Sequence, residues 1–304
     1  MSLTNEILNE LKHSLKKGHF QLNEKMSKHT TFGVGGAASV FIEPTCEEEI
    51  SKVLEIANKH NIPFYIIGRG SNLLVSDNGL DGIVIKIADM FSCSVLQSRS
   101  IIVDAGASLA AVSKMAYKNS LTGLEFASGI PGTVGGAVAM NAGAYGNEMK
   151  DIVEWVKVMK NDGTITVMKN EEFNFSYRES ILTKNTDWIV LSVKLNLQPG
   201  DKNEILQQML DRNKKRVSSQ PLDKNNCGSV FKRPEGHFAG KLIEDCGLRG
   251  FSYNGVEISQ KHAGFITTSK NSTADDVLYV INLAKNKVKE NFGISLEEEV
   301  KILK

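Results

Sequence analysis

Apolar residues at the start of the chain recur at helical spacing. Leu3, Ile7, Leu8, Leu11 and Leu15 share a face, which predicts an amphipathic helix packed on the body of the protein. Ala38 to Glu43 is strand-like, and Thr45-Cys46-Glu47-Glu48 has capping-box spacing ahead of a helix carrying Ile50, Val53, Leu54 and Ala57. Phe64-Tyr65-Ile66-Ile67 is a short apolar strand that runs directly into Gly68-Arg69-Gly70-Ser71-Asn72, after which Leu73-Leu74-Val75 resumes as strand. Gly82 to Ile87 and Ile101 to Asp104 read as further strands, followed by a helix from about Ser108 with Val112, Met115 and Ala116 inward. Val153 to Met159 and Thr164 to Met168 flank the hairpin signal Asn161-Asp162-Gly163, and Ile189 to Leu197 alternates as a half-buried strand does.

Gln198-Pro199-Gly200-Asp201-Lys202 interrupts this pattern and marks a domain boundary, with a long polar helix after it carrying Ile205, Leu206, Met209 and Leu210. Beyond it come a strand at Cys227 to Lys232, a helix near Ala239 to Cys246, and a strand at Ala263 to Thr267. A last helix is opened by Ser272-x-x-Asp275, carries Val277, Val280, Ile281, Ala284 and Val288, and ends near Asn291-Phe292-Gly293. The pattern predicts an α+β protein: an N-terminal helix within 1–25, a large domain over 26–198 and a smaller one over 199–304.

Composition narrows the function classes. The chain has 304 residues, 41% of them hydrophobic and 23% charged, which suits a soluble enzyme with a sizeable core. Its net charge of +1 supplies no global field for nucleic acid or anionic lipid, so an anionic ligand must be held by local groups. No apolar stretch approaches the roughly 20 residues of a membrane span. Cys46, Cys93, Cys227 and Cys246 show no CxxC pairing, and the N-terminus lacks the apolar core of a secretory signal, which points to the cytoplasm. The six histidines, His262 among them, are scattered without metal-ligand spacing, so no bound metal is expected.

Two glycine-dense segments carry the candidate chemistry: Ile67-Gly68-Arg69-Gly70-Ser71-Asn72-Leu73, and Gly129-Ile130-Pro131-Gly132-Thr133-Val134-Gly135-Gly136-Ala137. Backbone so free of side chains can turn its amides toward an anion, and the pair reads as a diphosphate cradle. The first segment is neither a Walker A loop nor a GxGxxG turn, and alone it also fits a plain tight turn.

Further motifs occur in order along the chain: Thr30-Thr31-Phe32-Gly33-Val34-Gly35-Gly36, the two glycine segments, Tyr177-Arg178-Glu179-Ser180, Cys227-Gly228-Ser229-Val230-Phe231-Lys232, and Leu296-Glu297-Glu298-Glu299-Val300. Together they resemble the UDP-N-acetylenolpyruvoylglucosamine reductase (UDP-N-acetylmuramate dehydrogenase) family over nearly the whole chain from about Met26. The resemblance implies a vanillyl-alcohol-oxidase-type (PCMH) FAD-binding fold, with subdomains of about 26–88 and 89–198, and a C-terminal α+β substrate domain. It implies non-covalent FAD, NADPH as co-substrate, and reduction of a UDP-sugar enolpyruvyl ether in bacterial cell-wall synthesis. The partners are then small molecules, with no nucleic acid and no membrane, and the protein is a monomer. The short span from Ser180 to Asp187 leaves little room for a tyrosine-bearing lid loop, so the chain resembles the family's shorter type.

The same resemblance places the flavin on Thr31, Phe32 and Gly33 and on the two glycine segments. It gives catalytic roles to Arg178, Ser229 and Glu299, and substrate contacts to Tyr177, Lys232 and Arg233. Hydride arriving at an enolpyruvyl methylene pushes negative charge toward the carboxyl group, which a guanidinium can hold by two parallel hydrogen bonds. The resulting carbanion takes a proton from Ser229, and Glu299 orients or assists. Read alone, Arg178 fits a solvated or salt-bridged surface residue and Gly228-Ser229 a small-residue turn. Arg212 to Arg216 lies on a helix as a solvated face, with Arg216 able to turn inward, and His262 is read as structural. Cys227 has no adjacent histidine to activate it. A flavin oxidase using the same loops, and a flavin-free nucleotide-sugar binder, are the alternatives.

Overall fold

The leading amphipathic pattern folds as helix α1 (Asn5–Ser14), capped by the Thr4 hydroxyl, with Leu11 buried and Leu3, Ile7, Leu8 and Leu15 packed alongside. A computed structural model describes residues 3–304, which divide into two compact units. The first unit holds residues up to Asn23, Ser39–Arg69 and Asp81–Lys214; the second holds Glu24–Ala38, Gly70–Leu80 and Lys215–Lys304.

In the first unit α2 (Glu47–Lys59) buries Ile50, Val53, Leu54 and Ala57, as its periodicity predicts. Its entry differs from the expected capping box: the Cys46 side chain makes no cap, and the Glu49 carboxylate instead accepts from the Thr45 amide at 2.7 Å and the Thr45 hydroxyl at 3.0 Å. Glu49 also accepts from the amides of Lys16, Lys17 and Gly18, so one buried carboxylate ties down the segment after α1. Burial opposes its charge, but the amides of Lys17, Thr45 and Lys16 outweigh that and draw its pKa from 4.5 to about 2.

A four-stranded sheet follows the order His19–Lys25, Ala37–Glu43, Leu80–Lys86, Phe64–Ile67, the last two strands being parallel. A five-stranded antiparallel sheet runs Ile165–Lys169, Val153–Met159, Ile189–Asn196, Ser100–Asp104, Ser94–Gln97. Its hairpin at Asn161-Asp162-Gly163 is the one the sequence signals. Helix α3 (Leu109–Lys118) turns Val112 and Ala116 inward, and a core of Val40, Ile42, Ile83, Ile85, Val103, Phe126, Val156 and Leu191 runs through the unit. One helix has no sequence signal: the second glycine segment continues into α4 (Val134–Ala139), with Thr133 as its N-cap accepting from the Gly136 amide at 3.2 Å. α5 (Lys202–Ser219) is the long polar helix expected after Gln198–Lys202.

The second unit builds an antiparallel sheet in the order Asn225–Ser229, Phe265–Thr268, Val256–Ile258, Ser252–Tyr253. α6 (Ala239–Asp245) and α7 (Ala274–Phe292) share its core with Phe32, Val34, Leu74, Val230 and Phe231. α7 starts one residue later than Ser272-x-x-Asp275 suggests, because Thr273 and Asp276 form the capping box; it ends at Gly293 in the left-handed region. Asp77 accepts from the amides of Ala274 and Asp275, both at 2.9 Å, satisfying donors that the helix leaves open. Lys301–Leu303 pairs in parallel with Leu73–Val75.

Candidate active site

In the first unit the two glycine segments touch. A Cβ on Gly68 would stand 2.5 Å from the Thr133 hydroxyl oxygen, and one on Gly135 would stand 2.8 Å from the Ala105 methyl, so neither position has room for a side chain. The Gly135 amide donates to the Ala105 carbonyl at 2.8 Å, and the Leu109 amide to the Gly132 carbonyl at 3.2 Å, which fixes the segment on strand Ser100–Asp104 and the start of α3. Gly132 has φ +121°, outside the reach of an L side chain without strain. Among the described residues the amides of Gly68, Arg69, Gly132 and Thr133 donate to no protein acceptor. Bare backbone donors on two glycine-rich strips suit a dinucleotide's phosphates, and the sequence-predicted set Ile67, Gly68, Arg69, Gly129, Ile130, Pro131, Gly132, Thr133, Gly135, Gly136 and Ala137 lies on these two strips. The Arg69 guanidinium is paired with Asp89.

Tyr177 and Arg178 occupy the two central positions of a tight turn closed by reciprocal bonds between Ser176 and Glu179, at 3.1 and 3.3 Å. Arg178 has φ +59°, its Nη2 donates to the Gly143 carbonyl at 3.0 Å, and its guanidinium lies 5.1 Å from the Tyr177 ring centroid. A positive φ at a non-glycine residue is strained, and here an arginine bears it. Ser180 closes the motif by donating to the Ala139 carbonyl at 2.7 Å.

The second unit brings together four segments distant in sequence. Gly70, at φ +65°, sits so tightly against the His29 carbonyl that a Cβ cannot fit, and its own carbonyl accepts from the Thr31 amide at 3.1 Å. Gly33, at φ +69°, faces the Asn225 amide group. The Phe32 side chain is wholly buried and its carbonyl accepts from the Thr268 hydroxyl, so Phe32 is a core anchor for this loop. Asn72 donates its side-chain amide to the Glu299 carbonyl at 3.0 Å and accepts the Lys301 amide at 3.0 Å, with Ser71 before it and Leu73 already in the strand.

Ser229 ends its strand after a register shift between Asn226 and Ser229, where Gly228 takes φ +84°. A Cβ on Gly228 would meet nothing, so the backbone angle alone calls for glycine there. The Glu299 amide donates to the Val230 carbonyl at 2.7 Å, and the Lys232 amide to the Glu297 carbonyl at 2.8 Å. This short ladder sets Glu299 opposite Val230, one residue from Ser229. The glutamate run is divided by its partners: Glu297 pairs with Lys232 at 2.6 Å and Glu298 with Lys285 at 2.6 Å. Arg233 stacks on the Phe238 ring at 3.9 Å.

Cys227 is buried, and burial first, then the charge of Glu299, pushes its thiol far up. A thiol so protonated is no nucleophile. His262 accepts the Gly264 amide on Nδ1 at 3.0 Å, packs edge-on against Phe265, and has its pKa lowered by burial, which keeps it neutral. Sequence reasoning passed over Asn141, which is wholly buried and contacts the Arg178 turn. It lies in an irregular segment with no periodic signal.

A family model described as UDP-N-acetylenolpyruvoylglucosamine reductase, C-terminal domain, matches residues 220–303, and one described as FAD binding domain matches 38–169. The chain is 46% identical to the UDP-N-acetylenolpyruvoylglucosamine reductase of Caldanaerobacter subterraneus subsp. tengcongensis, over 98% of each chain. It is also 46% identical to that of Clostridioides difficile, over 95% of each. The crystal structure of UDP-N-acetylenolpyruvylglucosamine reductase (MurB) from Thermus caldophilus superimposes with a TM-score of 0.82 at 35% identity, covering 95% of this chain and 99% of that one.

Proposed function

Because the chain belongs to the UDP-N-acetylenolpyruvoylglucosamine reductase family, we propose that its glycine strips hold FAD and that Arg178, Ser229 and Glu299 carry the reduction of an enolpyruvyl ether. The protein is an FAD-dependent, NADPH-driven oxidoreductase of peptidoglycan precursor synthesis on the α+β PCMH-type fold. The substrate we assign is UDP-N-acetylglucosamine enolpyruvate, and the product UDP-N-acetylmuramate.

FAD held there would supply the hydride chemistry, with NADPH as the source of the electrons and the enolpyruvyl methylene carbon as the acceptor. Main-chain donors at Gly68, Arg69, Gly132 and Thr133 suit its diphosphate, and the family resemblance also gives flavin contacts to Thr31, Gly33 and Gly70–Leu73. The Arg178 guanidinium, held by one nitrogen on the Gly143 carbonyl, pairs the substrate carboxylate and stabilises the charge that gathers there. Ser229 Oγ gives a proton to the carbon next to the carboxyl group, and water returns one to the serine. Glu299 orients the hydroxyl and the carboxyl end. Lys232, Arg233 and Tyr177 serve the anionic and sugar portions of the substrate.

The observation that carries this reading is the 2.7 Å bond from the Glu299 amide to the Val230 carbonyl, which holds Glu299 on a backbone ladder across from the residue that follows Ser229. No helix among the described residues is long and apolar enough to cross a membrane; we place the protein in the cytoplasm as a monomer acting on small molecules. After Ser180 the chain makes a single short turn at Ile181–Thr183, which supports the shorter type without a tyrosine lid.

Anaerobic stopped-flow absorbance tests the assignment. Purified protein bleaches on NADPH and regains its yellow colour on UDP-N-acetylglucosamine enolpyruvate. Bleaching without recovery on that substrate refutes the assigned reaction.

A further inference from the structure

Asn141 has φ +43° and no exposed surface, so it combines a left-handed backbone with a fully buried amide. Its Nδ2 donates to the Ser176 carbonyl at 2.8 Å and to Glu148 Oε2 at 3.0 Å, while its Oδ1 accepts the Lys150 amide at 2.9 Å. Three of the four hydrogen-bonding positions of an amide are thereby used. Asparagine and aspartate are the side chains that tolerate such a φ, and aspartate offers no donors.

Ser176 is the first residue of the turn that carries Arg178. Two further ties run between the same stretches of chain: the Ser180 hydroxyl to the Ala139 carbonyl at 2.7 Å, and Arg178 Nη2 to the Gly143 carbonyl at 3.0 Å. Ala139 ends α4 and residues 140–143 directly follow it, while the helix start belongs to the second glycine segment. The guanidinium is therefore referenced to that segment through a short, rigid stretch of chain, with Asn141 at its middle.

We propose that Asn141 is a positioning residue for Arg178, acting through the Ser176 carbonyl; this rests on the role given to Arg178 above. Loss of its two donors frees one side of the turn and lets the guanidinium drift. A misplacement of about 1 Å from a group outside the chemistry can cost about a hundredfold in rate.

The test uses Asn141→Asp, which keeps size and backbone preference but removes both donors, and Asn141→Gly, which accepts the φ without strain. In flavin-loaded enzyme we expect unchanged flavin content, unchanged bleaching by NADPH, and recovery by the enolpyruvyl substrate slowed about 10- to 100-fold. In an Arg178→Lys background the same substitutions should add less than about threefold, since groups acting as a unit are non-additive. In flavin-free protein, hydrogen exchange should rise at the Ser176 and Glu179 amides while strand Val153–Met159 is unchanged. A full multiplicative loss on top of Arg178→Lys, unaltered exchange at the turn, or failure of both variants to fold or keep flavin overturns the proposal. If Arg178→Lys alone recovers at the wild-type rate, the assignment of Arg178 itself falls, an outcome seen before any Asn141 variant is made.

Discussion

The turn bearing Arg178 and the ladder bearing Ser229 and Glu299 are fixed by opposite means. The ladder is backbone on backbone: Glu299 and Lys232 exchange main-chain bonds with Val230 and Glu297, and any side chain could stand at those positions without breaking them. The turn hangs from side chains, those of Asn141, Ser180 and Arg178 itself, and it carries a strained φ. Main-chain mounting suits groups that act as a pair at fixed spacing. Side-chain mounting lets a turn set the angle of a planar cation, at the cost of dependence on a few particular residues.

Four measurements test this difference in mounting. Ser229→Ala removes the hydroxyl proposed as proton donor from the backbone-held ladder, so recovery of flavin colour by the enolpyruvyl substrate should slow at least about a hundredfold, the usual scale for a positioned acid. Bleaching by NADPH and thermal stability should stay near wild type; equal loss of both half-reactions removes the serine from the mechanism. Glu49→Gln attacks a second side-chain anchor, one remote in role from the chemistry, and should cost about 3 kcal/mol in denaturant unfolding at neutral pH. Glu49 has a folded pKa near 2 against an ordinary 4.5, so its contribution is full above pH 4.5 and fades as pH falls toward 2. The variant's stability curve should therefore converge on wild type in acid, and a constant gap would refute the ionised anchor. Hydrogen exchange in the wild type should be faster at Ser176 and Glu179 than at Glu299 and Lys232, the reverse order contradicting the contrast itself. The smallest change is expected of Cys227→Ala: the thiol is held protonated beside Glu299, so turnover should remain within about twofold, with a stability loss of about 1 kcal/mol.

Periodic segments were legible because burial on one face writes itself into the residue order: α1, α2, α3, α7 and the hairpin at Asn161–Gly163 follow from that. The site motifs were legible as types of residue, through glycine density and the resemblance they completed. α4 was hidden because Gly135 and Gly136 are poor helix formers, and packing against Ala105 overrides that preference. Capping at Thr45 and Thr273 shifted because neighbouring hydroxyls and carboxylates compete for the same donors. Asn141 was invisible because its tie to the Arg178 turn is to Ser176, thirty-five residues away in sequence. That Glu24–Ala38 and Gly70–Leu80 belong with the C-terminal segment depends on long-range pairing, which no local pattern encodes.

The parallel pairing of Leu73–Val75 with Lys301–Leu303 has a bearing on biogenesis. The ribosome releases the earlier strand long before its mate exists, and closing so wide a loop is slow. During that wait an apolar edge stands open to other nascent chains, and the carboxylate at Glu299 takes its place among the last events of maturation.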